Sequence, residues 1–177
     1  ILLYTGHWEA GMLKKLRPKL YVDSIYDIDF KMLKAKGFKG IIVDLDNTIT
    51  EWNNPRLSQK MFVWFKEMGS NSLKPVIVSN NSESRVAEVA QQLQIPYIAK
   101  AKKPGVSAFK KAMAVIGTDS KQTVVIGDQL FTDILGGNRL NLFTVLVVPL
   151  NSKEFIGTRF MRIIERGLLR ILMLDKA

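Results

Sequence analysis

From Gly40 onward, short apolar runs alternate with segments in which apolar residues recur every three or four positions. Five runs read as strands: GIIVDL (40–45), PVIVS (75–79), PYIA (96–99), TVVIG (123–127) and FTVLVV (143–148). They are rich in Val and Ile and apolar on both faces, which suits a parallel sheet whose two sides are both covered. Between them, Leu57, Met61, Phe65 and Met68 fall on one helical face, as do Val86, Val89, Ala90 and Leu93, and then Phe109, Ala112, Met113 and Ile116. The order βαβαβαβαβ predicts an α/β fold: a doubly wound, Rossmann-like, parallel five-stranded sheet. Right-handed crossovers bring the carboxyl end of every strand to one edge, where such sheets bind ligands.

The residues just beyond each strand then become informative. Asp44, Asp46 and Thr48 come after the first strand, and Ser79, Asn80 and Asn81 after the second. KAKKPG puts Lys103 ahead of the third helix, and GDQLFTD puts Asp128 and Asp133 after the fourth strand. Four acids, a hydroxyl and an ammonium on one edge are the inventory for holding a divalent cation and a phosphoryl group together. Taken singly, Asp128 or Asp133 could cap a helix, Ser79 could serve a turn, and Lys103 could be a solvated lysine. Their joint placement argues for one site. GGN at 136–138 reads as a helix terminator rather than a phosphate loop, because it follows its helix.

Composition narrows the chemistry. A chain of 177 residues with 47% apolar and 24% charged positions fits one domain with an ordinary core. No run of about 18 apolar residues exists to cross a bilayer. There is no Cys, which excludes thiol catalysis and allows a reducing, cytoplasmic setting; His7 is the sole histidine, so hydrolytic chemistry falls to carboxylates. The net charge of +10 points to an anionic partner. Residues 1–11 fit no periodic pattern and are expected to be an added or unstructured arm, 12–39 a basic lead-in, and 40–150 the catalytic core. In 151–177, Arg159, Arg162, Arg166 and Arg170 accompany Phe160, Ile163, Ile164, Leu168 and Ile171, which reads as a basic amphipathic tail. Such a tail would hold the chain peripherally on an anionic membrane surface at its inner face; a solvated helix that closes the domain is the alternative.

The motifs DLDNT, VSNN, KKP and GDQLFTD, in this order, resemble the four motifs of the haloacid dehalogenase (HAD) superfamily, subclass IIIA. More narrowly, IIVDLDNTITEW, VIVSNNSESRV, AKKPGVSAF, VVIGDQLFTDILGGNR and TRFMRIIER resemble the YqeG family, which includes mitochondrial and plastid phosphatidylglycerophosphatases. The resemblance implies a phosphatase, and phosphatidylglycerophosphate as its substrate.

The residues support such chemistry. Asp44 is expected to attack phosphorus and form an aspartyl-phosphate, since a carboxylate needs no separate base at neutral pH. Asp46, two residues on, would donate a proton to the leaving oxygen and then take one from water. Mg²⁺ would be held by Asp44, the Asp46 backbone carbonyl and Asp128, with Asp133 orienting a metal-bound water or Lys103 from behind. Substrate oxygens would be gripped by Ser79 and Lys103, helped by the Asn80 amide, with Thr48 positioning Asp46. The short spacings from Thr48 to Ser79 and from Ser79 to Lys103 leave no room for a cap domain, so the cleft should be open to a phosphate on something large, such as a lipid head group. A phosphatase for soluble sugar phosphates or nucleotides is the alternative within the class. A receiver-like phosphoaspartate module is the alternative outside it, although receivers carry their acidic pair ahead of the phosphoacceptor strand. Nucleic acid binding would explain the charge but none of the acids.

Overall fold

The computed structural model describes residues 14–52, 54–150 and 167. In chain order the elements are β1 (Leu20–Val22), α1 (Phe30–Ala35), β2 (Gly40–Val43), α2 (Gln59–Ser70), β3 (Lys74–Val78), α3 (Glu83–Leu93), β4 (Tyr97–Ile98), α4 (Ser107–Ile116), β5 (Thr123–Gly127), α5 (Leu135–Arg139) and β6 (Phe143–Val147). A π-helical turn over Leu130–Ile134 leads into α5. Among the described residues the strands form one six-stranded sheet in the order β1-β6-β5-β2-β3-β4, and every pairing is parallel.

The predicted strands all form, and the sheet gains a sixth at its edge. β1 is a three-residue strand that lies only partly buried, too short for a period of two to show in the sequence. It joins by pairing Leu20 with Val145 and Val22 with Val147 of β6. Residues 12–39 are therefore more than a basic lead-in, since Ile25, Phe30 and Leu33 also enter the main core.

The apolar runs have the cause inferred for them. β2 is buried at all four positions and β5 at all five. Alternate side chains serve opposite faces, as the pleat requires. Ile41 and Val43 pack with Met61, Trp64, Phe65 and Met68 of α2 and Val86, Val89 and Ala90 of α3, whereas Ile42, Val76 and Val78 meet Ala108, Phe109, Ala112, Met113 and Ile116 of α4. Ser58 and Ser82 cap α2 and α3 by accepting the N–H of Met61 and of Arg85. Gly117, at φ +69°, ends α4 in the left-handed region.

Gly136 and Gly137 do not terminate a helix; they lie buried inside α5. A Cβ on Gly136 would stand 2.5 Å from Phe109 Cε2, and one on Gly137 2.6 Å from Thr144 Cγ2. Both glycines are there for close packing against α4 and the sheet. Asn138 then ties α5 to the chain ahead of β1, donating through Nδ2 to the carbonyls of Lys15 (2.7 Å) and Arg17 (2.9 Å).

This topology fixes where a ligand can sit. From β2 the chain winds outward through β3 and β4, and from β5 it winds the opposite way through β6. The order reverses between β2 and β5, and their carboxyl ends open a crevice. No domain is inserted there among the described residues: 44–58 join β2 to α2, and 79–82 join β3 to α3. No helix among them is long and apolar enough to cross a membrane. His7, the arm 1–11 and the tail arginines 159, 162, 166 and 170 lie outside the described residues.

Candidate active site

The loop after β2 sets the first half of the site. The Asp44 N–H still donates to Ile126 O at 2.9 Å, as though the strand continued. The chain then closes on itself, with the N–H groups of Thr48, Ile49 and Thr50 all directed to Leu45 O at 3.4, 2.9 and 3.2 Å. Asn47 takes φ +61° in this turn, a conformation Asn tolerates better than most residues. Ser79 and Asp128 stand one residue beyond β3 and β5. Lys103 arrives on the loop between β4 and α4. Asn80 holds that loop from both sides, accepting the Lys103 N–H through Oδ1 (2.7 Å) and donating to Lys103 O through Nδ2 (3.2 Å).

The side chains converge where the two halves meet. Lys103 Nζ donates to Asp44 Oδ1 at 2.5 Å and to Asp133 Oδ1 at 2.7 Å, and all three residues are buried. Asp133 Oδ2 accepts the Gln129 N–H at 3.2 Å. Gly127 makes this approach possible, because a Cβ there would lie 2.3 Å from Asp133 Cγ. Asp44, Asp128 and Asp133 each offer a carboxylate oxygen within 4.8 Å of the others.

Asp44 and Asp133 share one ammonium, and Asp128 lies beside them. Burial pushes the Asp44 carboxyl well above the ordinary range; the charges of Asp133 and Asp128 push the same way, and Lys103 only partly opposes them. Burial alone would lower Lys103, but the carboxylates of Asp133 and Asp44 outweigh it and hold the ammonium charged. A divalent cation bound among these carboxylates would relieve their mutual repulsion. The donors are all hard oxygens, the set that suits a divalent ion of the Mg²⁺ or Ca²⁺ type.

The sequence model of the family described as mitochondrial PGP phosphatase matches residues 12–149. The chain belongs to that family. It is 46% identical over 162 residues to the YqeG protein of Bacillus subtilis strain 168, described as a probable phosphatase, covering 91% of this chain and 94% of that one. It is 30% identical over 165 residues to phosphatidylglycerophosphate phosphatase 1, chloroplastic/mitochondrial, of Arabidopsis thaliana; the match takes in 86% of this chain and only 47% of that protein. The fold resembles a crystal structure of 3-deoxy-D-manno-octulosonate 8-phosphate phosphatase from Yersinia pestis, with TM-score 0.52, 14% identity, and coverage of 71% and 72% of the two chains. The chain is a phosphoric monoester hydrolase.

In this PGP phosphatase family member the expected site residues meet at the sheet edge, with one difference of contact. Thr48, completely buried, donates from Oγ1 to Asp128 Oδ1 at 3.4 Å, not to Asp46 as expected. The tight turn on Leu45 O brings Thr48 to Asp128, while Asp46 meets Asn81 and Arg85. The Asn80 side chain holds the Lys103 backbone, a role separate from the one expected of the Asn80 backbone amide. Ser79 is buried, and its Oγ accepts the Asn81 N–H at 3.2 Å.

Two residues at the site had no role assigned from the sequence: Asn81, placed at the edge, and Arg85. Asn81 Nδ2 donates to Asp46 Oδ2 at 2.9 Å, and Arg85 Nη2 donates to Asp46 Oδ1 at 3.2 Å. Arg85 carried one legible signal. It stands in the first turn of α3, next to the positive end of the helix dipole, where a cation is disfavoured unless a carboxylate compensates.

Proposed function

We propose that this phosphatase removes the terminal phosphate of phosphatidylglycerophosphate through an aspartyl-phosphate on Asp44. The observation that carries the mechanism is the buried Asp44–Lys103–Asp133 chain beside Asp128 at the ends of β2 and β5. It supplies a nucleophile that needs no base and a fixed ammonium at the point where phosphoryl oxygens would lie.

A carboxylate oxygen of Asp44 attacks phosphorus while the bond from phosphorus to the ester oxygen breaks. The departing alkoxide takes a proton from Asp46. Lys103 and the Ser79 hydroxyl face the equatorial oxygens, where charge lies during transfer. In the second half, Asp46 accepts a proton from the incoming water, the phosphorus bond to Asp44 breaks, and inorganic phosphate leaves with Asp44 again a carboxylate. Asp44, Asp128 and the Asp46 carbonyl would hold Mg²⁺, with Asp133 behind them. The ion's charge there would offset repulsion between the anionic ester and the acidic pocket.

Support for a lipid-borne substrate comes from three sides. The chloroplast and mitochondrial relatives carry that activity in their names. No inserted domain covers the crevice among the described residues, so a phosphate standing on a membrane can reach it. The net charge of +10 suits an anionic surface. Phosphate release from phosphatidylglycerophosphate in mixed micelles, compared with glycerol phosphate, sugar phosphates and nucleotides under the same Mg²⁺, tests the assignment. The lipid should give the highest kcat/KM; a soluble ester preferred over it would overturn the substrate while leaving the chemistry.

A further inference from the structure

We infer that Arg85 is a positioning residue for Asp46, holding the proposed acid/base carboxylate in a working orientation; this rests on the role given to Asp46 above. The Arg85 side chain is only 10% exposed, and Asp46 is its sole acidic partner among the described residues. Its Nη2 also donates to Glu51 O at 3.2 Å, so one nitrogen pins both ends of the loop 46–51. Asn81 takes the other carboxylate oxygen, so a donor on each oxygen fixes the side-chain torsions of Asp46. Each oxygen keeps a lone pair on which a proton can be taken up or released.

The rest of the guanidinium argues against a merely structural arginine. Nε and Nη1 are buried and meet no acceptor among the described residues. Leaving such donors unmatched is costly, and a scaffold arginine would spread all five N–H groups over carbonyls. Arg85 instead stands at an unfavourable place on its helix and uses Nη2 to hold Asp46 and Glu51 O. The contact also has a consequence for charge. Asp46 stays out of the group formed by Asp44, Asp128 and Asp133 and is paired with a guanidinium instead.

The test compares two leaving groups. An alkyl phosphate such as glycerol phosphate needs a proton on its departing oxygen, whereas p-nitrophenyl phosphate leaves as a stable phenolate. Because kcat/KM covers events only up to the first irreversible step, it isolates the phosphoryl transfer to Asp44. Asp46→Asn should lower kcat/KM about 10²- to 10³-fold for the alkyl ester and less than about tenfold for the aryl ester. Equal losses would remove Asp46 as general acid, and with it the basis of this inference. Given the split, Arg85→Met should reproduce it in the same direction, about 10- to 100-fold on the alkyl ester. Arg85→Lys should recover part of the alkyl activity. Arg85→Met added to Asp46→Asn should cost little more than Asp46→Asn alone, as coupled residues do. Both esters are measured on one preparation, so any loss of folded protein cancels in the ratio. Equal losses on the two esters for Arg85→Met, or full additivity in the double variant, would overturn the positioning role while leaving Asp46 in place.

Discussion

Lys103 Nζ sits 2.5 Å from Asp44 Oδ1, although 59 positions separate them in the chain. The contact joins the nucleophile candidate at the tip of β2 to a loop on the far side of β3, and both groups are buried. An ammonium in that place both stabilises the resting carboxylate and stands beside any phosphoryl group that Asp44 accepts.

Lys103→Met should therefore lower kcat by about 10²- to 10³-fold, the usual cost of losing one fixed donor to transition-state charge. Lys103→Arg should fail to restore it, since a planar fork cannot replace a point charge held between Asp44 and Asp133. Steady-state rates on folded variants decide this; activity within about threefold of the parent would discount the ammonium.

Removing divalent metal with a chelator should abolish turnover, and Mg²⁺ should restore it. Asp128→Ala should raise the Mg²⁺ concentration for half-maximal activity more than Ser79→Ala does, because only Asp128 belongs to the carboxylate group. Metal titrations of rate measure both. Hydrolysis at the normal rate in excess chelator would contradict the ligand assignment.

The raised Asp44 carboxyl gives a pH dependence with a definite sign. Folding makes this group harder to ionise than its ordinary value of 3.8. The native state therefore holds the proton more tightly than the unfolded chain, and the ionised group costs stability that grows as pH rises through that window. In chelator at neutral pH, Asp44→Asn should melt a few degrees higher than the parent, and the gap should close as pH falls toward 4. Saturating Mg²⁺ should shrink or reverse the gap, because the variant loses a ligand. Melting curves across pH check it; an Asn variant that melts lower in chelator at pH 7 would contradict the charge balance described for the pocket.

Much of this was legible in the sequence because the sheet is buried on both faces. Runs such as Ile41–Val43 and Val124–Ile126 are apolar throughout for that reason, and each break in a run marks a strand end. Asp44, Ser79 and Asp128 could be placed by that rule alone. β1 escaped because three partly exposed residues carry no period. Gly136 and Gly137 misled because a glycine admitted for close approach to Phe109 and Thr144 looks, in sequence, like a glycine that ends a helix. Thr48, Asn80 and Arg85 depend on how loops fold over one another, and neither hydrophobic pattern nor spacing encodes which of Asp46 and Asp128 a nearby hydroxyl will meet.

The central claim is that Asp44 carries the phosphoryl group between substrate and water. Rapid mixing with radiolabelled phosphate ester, acid quenching within the first turnover, and reductive cleavage with borohydride would convert an aspartyl-phosphate to homoserine, which peptide mass mapping locates. The modification should appear at residue 44 during the first turnover, decay as phosphate is released, and be missing from Asp44→Asn. Phosphate released in the first turnover with residue 44 unmodified at every quench time, or modification at another carboxylate, would contradict the account.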